Sequence, residues 1–183
     1  MTSNTAAIEE RVVLVNPSGE AIGVADKATV HTFDTPLHLA FSCYVFNSAG
    51  EVLMTRRALD KVAWPGVWTN SFCGHPAPDE SFEDAILRRG SYELGIDVHD
   101  VTVALPTFSY RAVDASGIVE HEFCPVFTAR FDGVPEPNPN EVAEWAWMDF
   151  DAVAATAVSM PRVLSPWLVE QLELLSTAER FTD

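Results

Sequence analysis

The chain has 183 residues and a mass of 20.1 kDa, with 48% hydrophobic and 10% aromatic residues, enough to bury one core of ordinary domain size without disulfides. A formal net charge of −16 and a pI near 4.5 exclude a broad basic surface for nucleic acid. Six of the eleven basic residues nevertheless fall between positions 56 and 111, which leaves room for a local anion site.

Chain order starts with "RVVLVN", the turn "PSGE" and "AIGVADK", which read as a β-hairpin. Ahead of it, "MTSNTAAIEERVVLV" lacks the cationic-then-apolar pattern of a secretory signal. A second hairpin is expected from "LAFSCYVFN", "SAGE" and "VLMTRR". "DESFEDAILRRGSYELG" reads as a helix with acidic residues first and Gly95 at its C-cap. "VALPTFSYRAV" and "GIVEHEFCPVFTARF", joined around 114–117, read as a third hairpin. The proline-rich "GVPEPNPNE" is a surface loop, "EWAWMDF" a strand, and "SPWLVEQLELLSTAERF" a helix opening on Ser165 with Pro166 at its first position. Strands mixed with a few helices point to a mixed sheet flanked by helices. No apolar run nears the roughly 18 residues of a membrane span. The three cysteines, Cys43, Cys73 and Cys124, are scattered and odd in number, which reads as reduced thiols rather than a disulfide framework. The expectation is a single domain over 1–183, soluble, cytoplasmic and monomeric, with no membrane or nucleic-acid partner.

Three features carry possible chemistry. On the first helix, Phe82, Ile86, Arg89 and Glu93 fall on one stripe. The pair Arg89 and Glu93 reads as an ordinary i,i+4 ion pair, or as a carboxylate near the core that needs a cation to offset its desolvation. In "IVEHEF", Glu120 and Glu122 share a strand face with Ile118, Cys124 and Val126, while His121 points the other way. Such a pair is either a solvent-facing couple on an edge strand or a cation site, because adjacent buried carboxylates repel. Among the five histidines, His31 and His38 cannot be placed by periodicity, since Pro36 argues against a helix between them. In "WTNSFCGHP", finally, Cys73 stands two residues before His75 with Gly74 between, a turn that suits a reactive thiol better than a structural one.

Taken together, "HTFDTPLHLAF", "TRRALDKVAWPGVWTNSFCGHP", "RRGSYELG", "FSYRAVDASGIVEHEFCPVF" and "SPWLVEQ" closely resemble the type I isopentenyl-diphosphate Δ-isomerases of the Nudix superfamily. The likeness runs over residues 12–175. It implies an α/β fold (α+β), a Nudix-type α/β/α sandwich around a mixed β-sheet. It implies isomerisation of isopentenyl to dimethylallyl diphosphate, with Cys73 and Glu122 exchanging protons with the substrate and Tyr110 beside Glu122. One divalent metal is implied at His31, His38, His75, Glu120 and Glu122, a nitrogen and oxygen set that suits manganese, zinc, iron or magnesium. A second magnesium is implied with the substrate diphosphate, Glu93 and the backbone oxygen of Cys73. Lys27, Arg57, Lys61 and Arg89 would grip the diphosphate, and Trp167 would face the developing cation. Cys43 and Cys124 are then core thiols, and His99 and His121 bystanders.

The role of Tyr110 fixes a register. A four-residue loop over 114–117 would set Tyr110 opposite His121, whereas a five-residue loop including Ile118 sets it opposite Glu122, and the second is expected. The main rival is a Nudix hydrolase. Gly74, Glu80, Arg88, Glu93 and Gly95 fit its box, but Arg89 and Tyr92 replace two carboxylates that would hold water-activating Mg²⁺. A non-catalytic metal-binding module is the third reading, and an intact Cys73 and Glu122 argue against it.

Overall fold

The computed structural model describes residues 10–177. Strands β1 (Arg11–Val15) and β2 (Ala21–Asp26) form the expected antiparallel hairpin. A single turn of helix, α1 (Lys27–Val30), follows, with the Asp26 side chain accepting from the Ala28 N–H. The chain then runs through β3 (His38–Leu39), β4 (Phe41–Phe46), β5 (Val52–Arg57), β6 (Trp68–Thr69) and β7 (Phe72–Gly74) to helix α2 (Phe82–Leu94). Four more strands follow: β8 (His99–Leu105), β9 (Ser109–Val113), β10 (Val119–Phe123) and β11 (Val126–Arg130). Strand β12 (Val142–Met148), helix α3 (Phe150–Ser159), a 3₁₀ turn (Pro161–Val163) and helix α4 (Pro166–Thr177) complete the described chain.

The strands make two sheets, ordered β2-β1-β3-β10-β9 and β12-β5-β4-β11-β8, with β6 on β5 and β7 on β4. Both sheets are mixed, because β3–β10 and β4–β11 are parallel pairs. Here the expected third hairpin needs correction. Its two long runs are each cut at a proline, Pro106 and Pro125, which cannot donate to a ladder. Only β9 and β10 pair as a hairpin, while β8 and β11 pair in the other sheet. Ala40 makes a similar break between β3 and β4, and its N–H bonds the Phe123 carbonyl at 2.9 Å. Two neighbouring segments thus cross together from one sheet to the other.

Alternation along β4 places the second sheet between helices. Phe41, Cys43 and Val45 meet Ala85, Ile86 and Leu94 of α2 on one face. Tyr44, with Val52 and Met54 of β5, meets Val153 of α3 and Leu168 and Leu172 of α4 on the other. This is the α/β/α layering expected. Helix α2 starts on Ser81, whose side chain accepts from the Asp84 N–H, and stops at Gly95, whose φ of 63° is left-handed. The proline-rich loop helps to close that helix, since Glu136 and Asn138 donate N–H bonds to its last carbonyls, Leu94 and Glu93. Helix α3 escaped the sequence reading because "FDAVAATAVS" carries no clear polar stripe. Its one local signal is Asp149, which accepts from the Ala152 N–H as N-cap. Of the expected last helix, positions 178–181 lie outside the described residues. No helix among the described residues is long and apolar enough to cross a membrane.

Candidate active site

A cavity of about 320 Å³ draws its lining from both sheets and from α2 and α4, within the range of small-ligand pockets. Glu120 and Glu122 on β10 point into it, and both are buried. Strand β10 lies between β3 and β9, so the reading of an exposed edge-strand pair fails. The parallel pairing of Glu122 with His38 brings β3 alongside the carboxylates. His31 arrives on a loop tied to β10 by the Val119 N–H to Thr32 carbonyl bond, and His75 follows directly after β7.

Ligand atoms of His31, His38, His75 and Glu122 all lie within 4.8 Å of one another. Glu120 is outside that group of four, yet its Oε2 lies 3.1 Å from His31 Nε2. The protons are too few for this many acceptors. His38 Nδ1 faces the Pro36 carbonyl at 2.9 Å, which commits its proton there and turns a bare Nε2 towards His75 Nε2 at 3.2 Å. His31 Nε2 and Glu120 Oε2 are buried without any hydrogen-bonding partner despite their closeness. A divalent cation answers all of these at once, so the residues present fit such an ion.

Electrostatics point the same way. Burial pushes His75 down to about 4, so its imidazole is a neutral ligand near pH 7. Burial works against the charge on Glu122, but the neighbouring imidazoles of His38 and His75 hold its carboxyl well below the usual range. Burial likewise opposes a charged His38, and the Glu122 carboxylate overcomes it and raises that imidazole. Burial pushes the Cys73 thiol up to about 12. Cys73 and Glu122 therefore rest in opposite protonation states, a proton on sulfur and none on the carboxylate.

Cys73 and Glu122 line the same cavity, together with Tyr110 and Trp167. Tyr110 pairs with Glu122 across the β9–β10 ladder and its hydroxyl donates to Glu122 Oε2 at 2.9 Å. The five-residue loop is therefore the correct one. Asp114 Oδ1 accepts from the Ser116 and Ile118 N–H groups, and Gly117 takes a φ of 92° that a residue with a Cβ resists. Trp167 is buried, with its ring centroid 5.7 Å from Tyr110 and 5.6 Å from Trp64.

All four expected clamp cations line the cavity. Arg57 donates to the Ala63 and Trp64 carbonyls and stands 5.6 Å from the Trp167 ring centroid. Arg89 donates twice to Glu93 Oε1, at 3.0 and 2.5 Å, so the expected ion pair exists and is buried. Lys27 pairs with Glu10, and Lys61 with Glu141. Glu141, 3.6 Å from Arg89, was missed from sequence, because nothing at the end of a proline-rich loop marks it as a pocket residue. Glu93 and Cys73 line the same cavity. Glu80 takes two bonds from Arg88, at 2.7 Å each, and Arg88 also donates to the His75 carbonyl, buckling the loop after β7 to α2. His99 pairs with Asp100 on the surface and His121 faces the Thr35 carbonyl, both away from the cluster. Cys43 and Cys124 are fully buried.

A NUDIX domain model matches residues 36–168. The chain is 57% identical over 169 residues to an isopentenyl-diphosphate Delta-isomerase of Paenarthrobacter aurescens, covering 92% of each chain. It is 49% identical over 175 residues to one of Salmonella paratyphi B, covering 96% of this chain and 97% of that one. Among solved structures, a Deinococcus radiodurans protein superimposes with a TM-score of 0.70 at 20% identity, covering 90% of this chain and 98% of that one. A MutT protein of Methanosarcina mazei gives 0.59 at 17% identity, covering 80% and 99%. These two likenesses concern the fold alone.

Proposed function

The chain belongs to the isopentenyl-diphosphate Delta-isomerases built on the NUDIX domain, and from that premise we propose how its residues perform the reaction. It is an isomerase that converts isopentenyl diphosphate to dimethylallyl diphosphate for isoprenoid synthesis. The observation that carries the residue assignment is one cavity holding a half-buried thiol, Cys73, and a buried carboxylate, Glu122, next to a cluster of cations.

The reaction adds a proton at the terminal carbon of the alkene and removes another from the neighbouring methylene, with no net change in atoms or charge. Cys73 and Glu122 exchange these two protons with the substrate. An alkene is a very weak base, so placement and exclusion of water matter more than acid strength alone. Tyr110 and Trp167, both buried, provide that shelter. The indole face steadies positive charge on the tertiary carbon, an interaction of roughly 2 kcal/mol when desolvated. Tyr110 holds Glu122 in its rotamer through the hydroxyl bond. Arg57, Arg89, Lys27 and Lys61 hold the diphosphate through charge-assisted hydrogen bonds.

His31, His38, His75, Glu120 and Glu122 would hold one divalent ion, manganese, zinc or magnesium, and Glu93 with the Cys73 carbonyl oxygen a magnesium that travels with the diphosphate. When bound, such ions supply positive charge that keeps Glu122 ionised and screens the phosphates. A hydrolase reading is disfavoured by Arg89 and Tyr92, which stand where that chemistry wants two further carboxylates for Mg²⁺.

The test joins metal analysis to an isomerase assay with and without a chelator, on wild type, Cys73→Ala and Glu122→Gln. Chelation abolishes turnover of the wild type, and each variant keeps its fold while losing activity. Undiminished turnover in either variant removes that residue from the mechanism.

A further inference from the structure

Between β6 and β7 lies Asn70, fully buried, with no role assigned in the reaction above. Its Nδ2 donates to the Cys43 carbonyl at 3.1 Å and the Phe72 carbonyl at 2.8 Å. Both partners only accept, so the amide can be oriented in one way only, with Oδ1 at the opposite end. At that end Oδ1 accepts from Trp167 Nε1 at 3.2 Å and from Cys73 Sγ at 3.4 Å. Thr69 Oγ1 also reaches Oδ1, at 2.9 Å, but it has a second partner in Ser165 Oγ at 2.8 Å. An indole N–H can only donate, so it has no such alternative. One carbonyl oxygen, with two lone pairs, thus touches both the reactive sulfur and the aromatic ring that covers the pocket.

The far side of the sulfur is fixed as well. Ser42 Oγ lies 3.4 Å from Cys73 Sγ and receives a bond from Gln171 Nε2 at 2.9 Å, while Tyr44 anchors Gln171 at 2.8 Å. The thiol is therefore bracketed by groups that are themselves held.

We propose that Asn70 is a positioning residue for the isomerisation, its amide oxygen locking the sulfur of Cys73 and the indole of Trp167 into one fixed relation around the reacting carbons. This inference rests on the roles given to Cys73 and Trp167 above. Misplacing a reacting group by about 1 Å costs on the order of 100-fold in rate, so the effect belongs in kcat. The phosphate grip is untouched, so KM stays within about threefold.

The experiment measures kcat and KM per folded enzyme for wild type, Asn70→Ala and Asn70→Asp. Asn70→Ala loses roughly 100-fold in kcat with KM little changed. Asn70→Asp keeps an acceptor at the same place, in its neutral acid form, and recovers part of the loss. Should Asn70→Ala fail to fold, Asn70→Asp, Trp167→Phe and their double variant decide the matter. Losses that fall short of multiplying support the shared anchor, and losses that multiply in full overturn it. A wild type that does not convert isopentenyl diphosphate overturns the underlying reading and this inference with it. An active wild type beside an Asn70→Ala variant within about threefold in kcat overturns this inference alone.

Discussion

Gly74 separates Cys73 from His75, and replacing it by alanine tests why that turn has no side chain. A Cβ at Gly74 would lie 2.8 Å from Arg89 Cγ and 2.9 and 3.0 Å from two ring carbons of Phe41. Ordinary carbon contacts sit near 3.5–4.0 Å. Neither neighbour yields easily: Phe41 is fully buried, and Arg89 is tied to Glu93 by two hydrogen bonds. Overpacking of this kind costs about 1–3 kcal/mol. For a domain of this size 1 kcal/mol moves Tm by about 2–4 °C, so Gly74→Ala should melt about 2–12 °C below wild type. The strain falls on Arg89, proposed above to grip the diphosphate, and on Cys73 and His75, which line the cavity, so KM for the diphosphate substrate should rise in parallel. Calorimetry and steady-state kinetics on one preparation read both effects. A Tm within about 1 °C of wild type together with an unchanged KM refutes the argument that this glycine is fixed by crowding.

Removing the Tyr110 hydroxyl deletes a hydrogen bond to an ionised carboxylate, worth about 1.5–3 kcal/mol. Tyr110→Phe should therefore lower kcat by roughly 10- to 150-fold with little change in KM, and an unchanged kcat takes Tyr110 out of the mechanism. The Glu80–Arg88 buckle predicts a pH dependence. Arg88 holds the Glu80 carboxyl below its usual value of 4.5, so its contribution to stability is fully present above that value and is lost as pH falls through the lowered one. The Tm gap between wild type and Glu80→Gln should be widest near neutral pH and close in acid, and a gap that does not change with pH contradicts the assignment.

Local pattern and tertiary pairing divided the work of specifying this site. The alternation in "IVEHEF" was enough to put Glu120 and Glu122 on one face, because strand geometry leaves no other choice. Gly95 bounded α2 from sequence for the same kind of reason, a cap chemistry that acts over a few residues. His31 and His38 resisted any such reading. His38 is placed by β3 pairing with β10 on one side and β1 on the other, and His31 by the Val119 N–H bond to the Thr32 carbonyl, all contacts between distant parts of the chain. Asn70 was in plain view within "WTNSFCGHP", yet its partners, Cys43 and Trp167, lie on other elements. Pro106 and Pro125 were visible too, but their effect, dividing two apparent strands between two sheets, follows only once both sheets exist.

The remaining puzzle is how a chain with a net charge of −16 grips an anion. Charges more than about 8 Å apart through solvent are largely screened at physiological salt, so the overall charge weakens at the range where binding is decided. Contacts inside the cavity decide instead. Lys27, Lys61 and Arg89 are each matched by a carboxylate of the same chain, from the exposed Glu10 and from Glu141 and Glu93 respectively. Those partners keep long cationic side chains extended before any ligand arrives, which reduces the entropy lost on binding. Arg57 differs, since the hydrogen bonds of its guanidinium go to the neutral carbonyls of Ala63 and Trp64. It therefore brings a charge that no carboxylate among the described residues offsets in an ion pair. Its guanidinium also borders the ring of Trp167. On the diphosphate grip proposed above, the same side chain would stand where the charged end of a short prenyl diphosphate gives way to its hydrocarbon end.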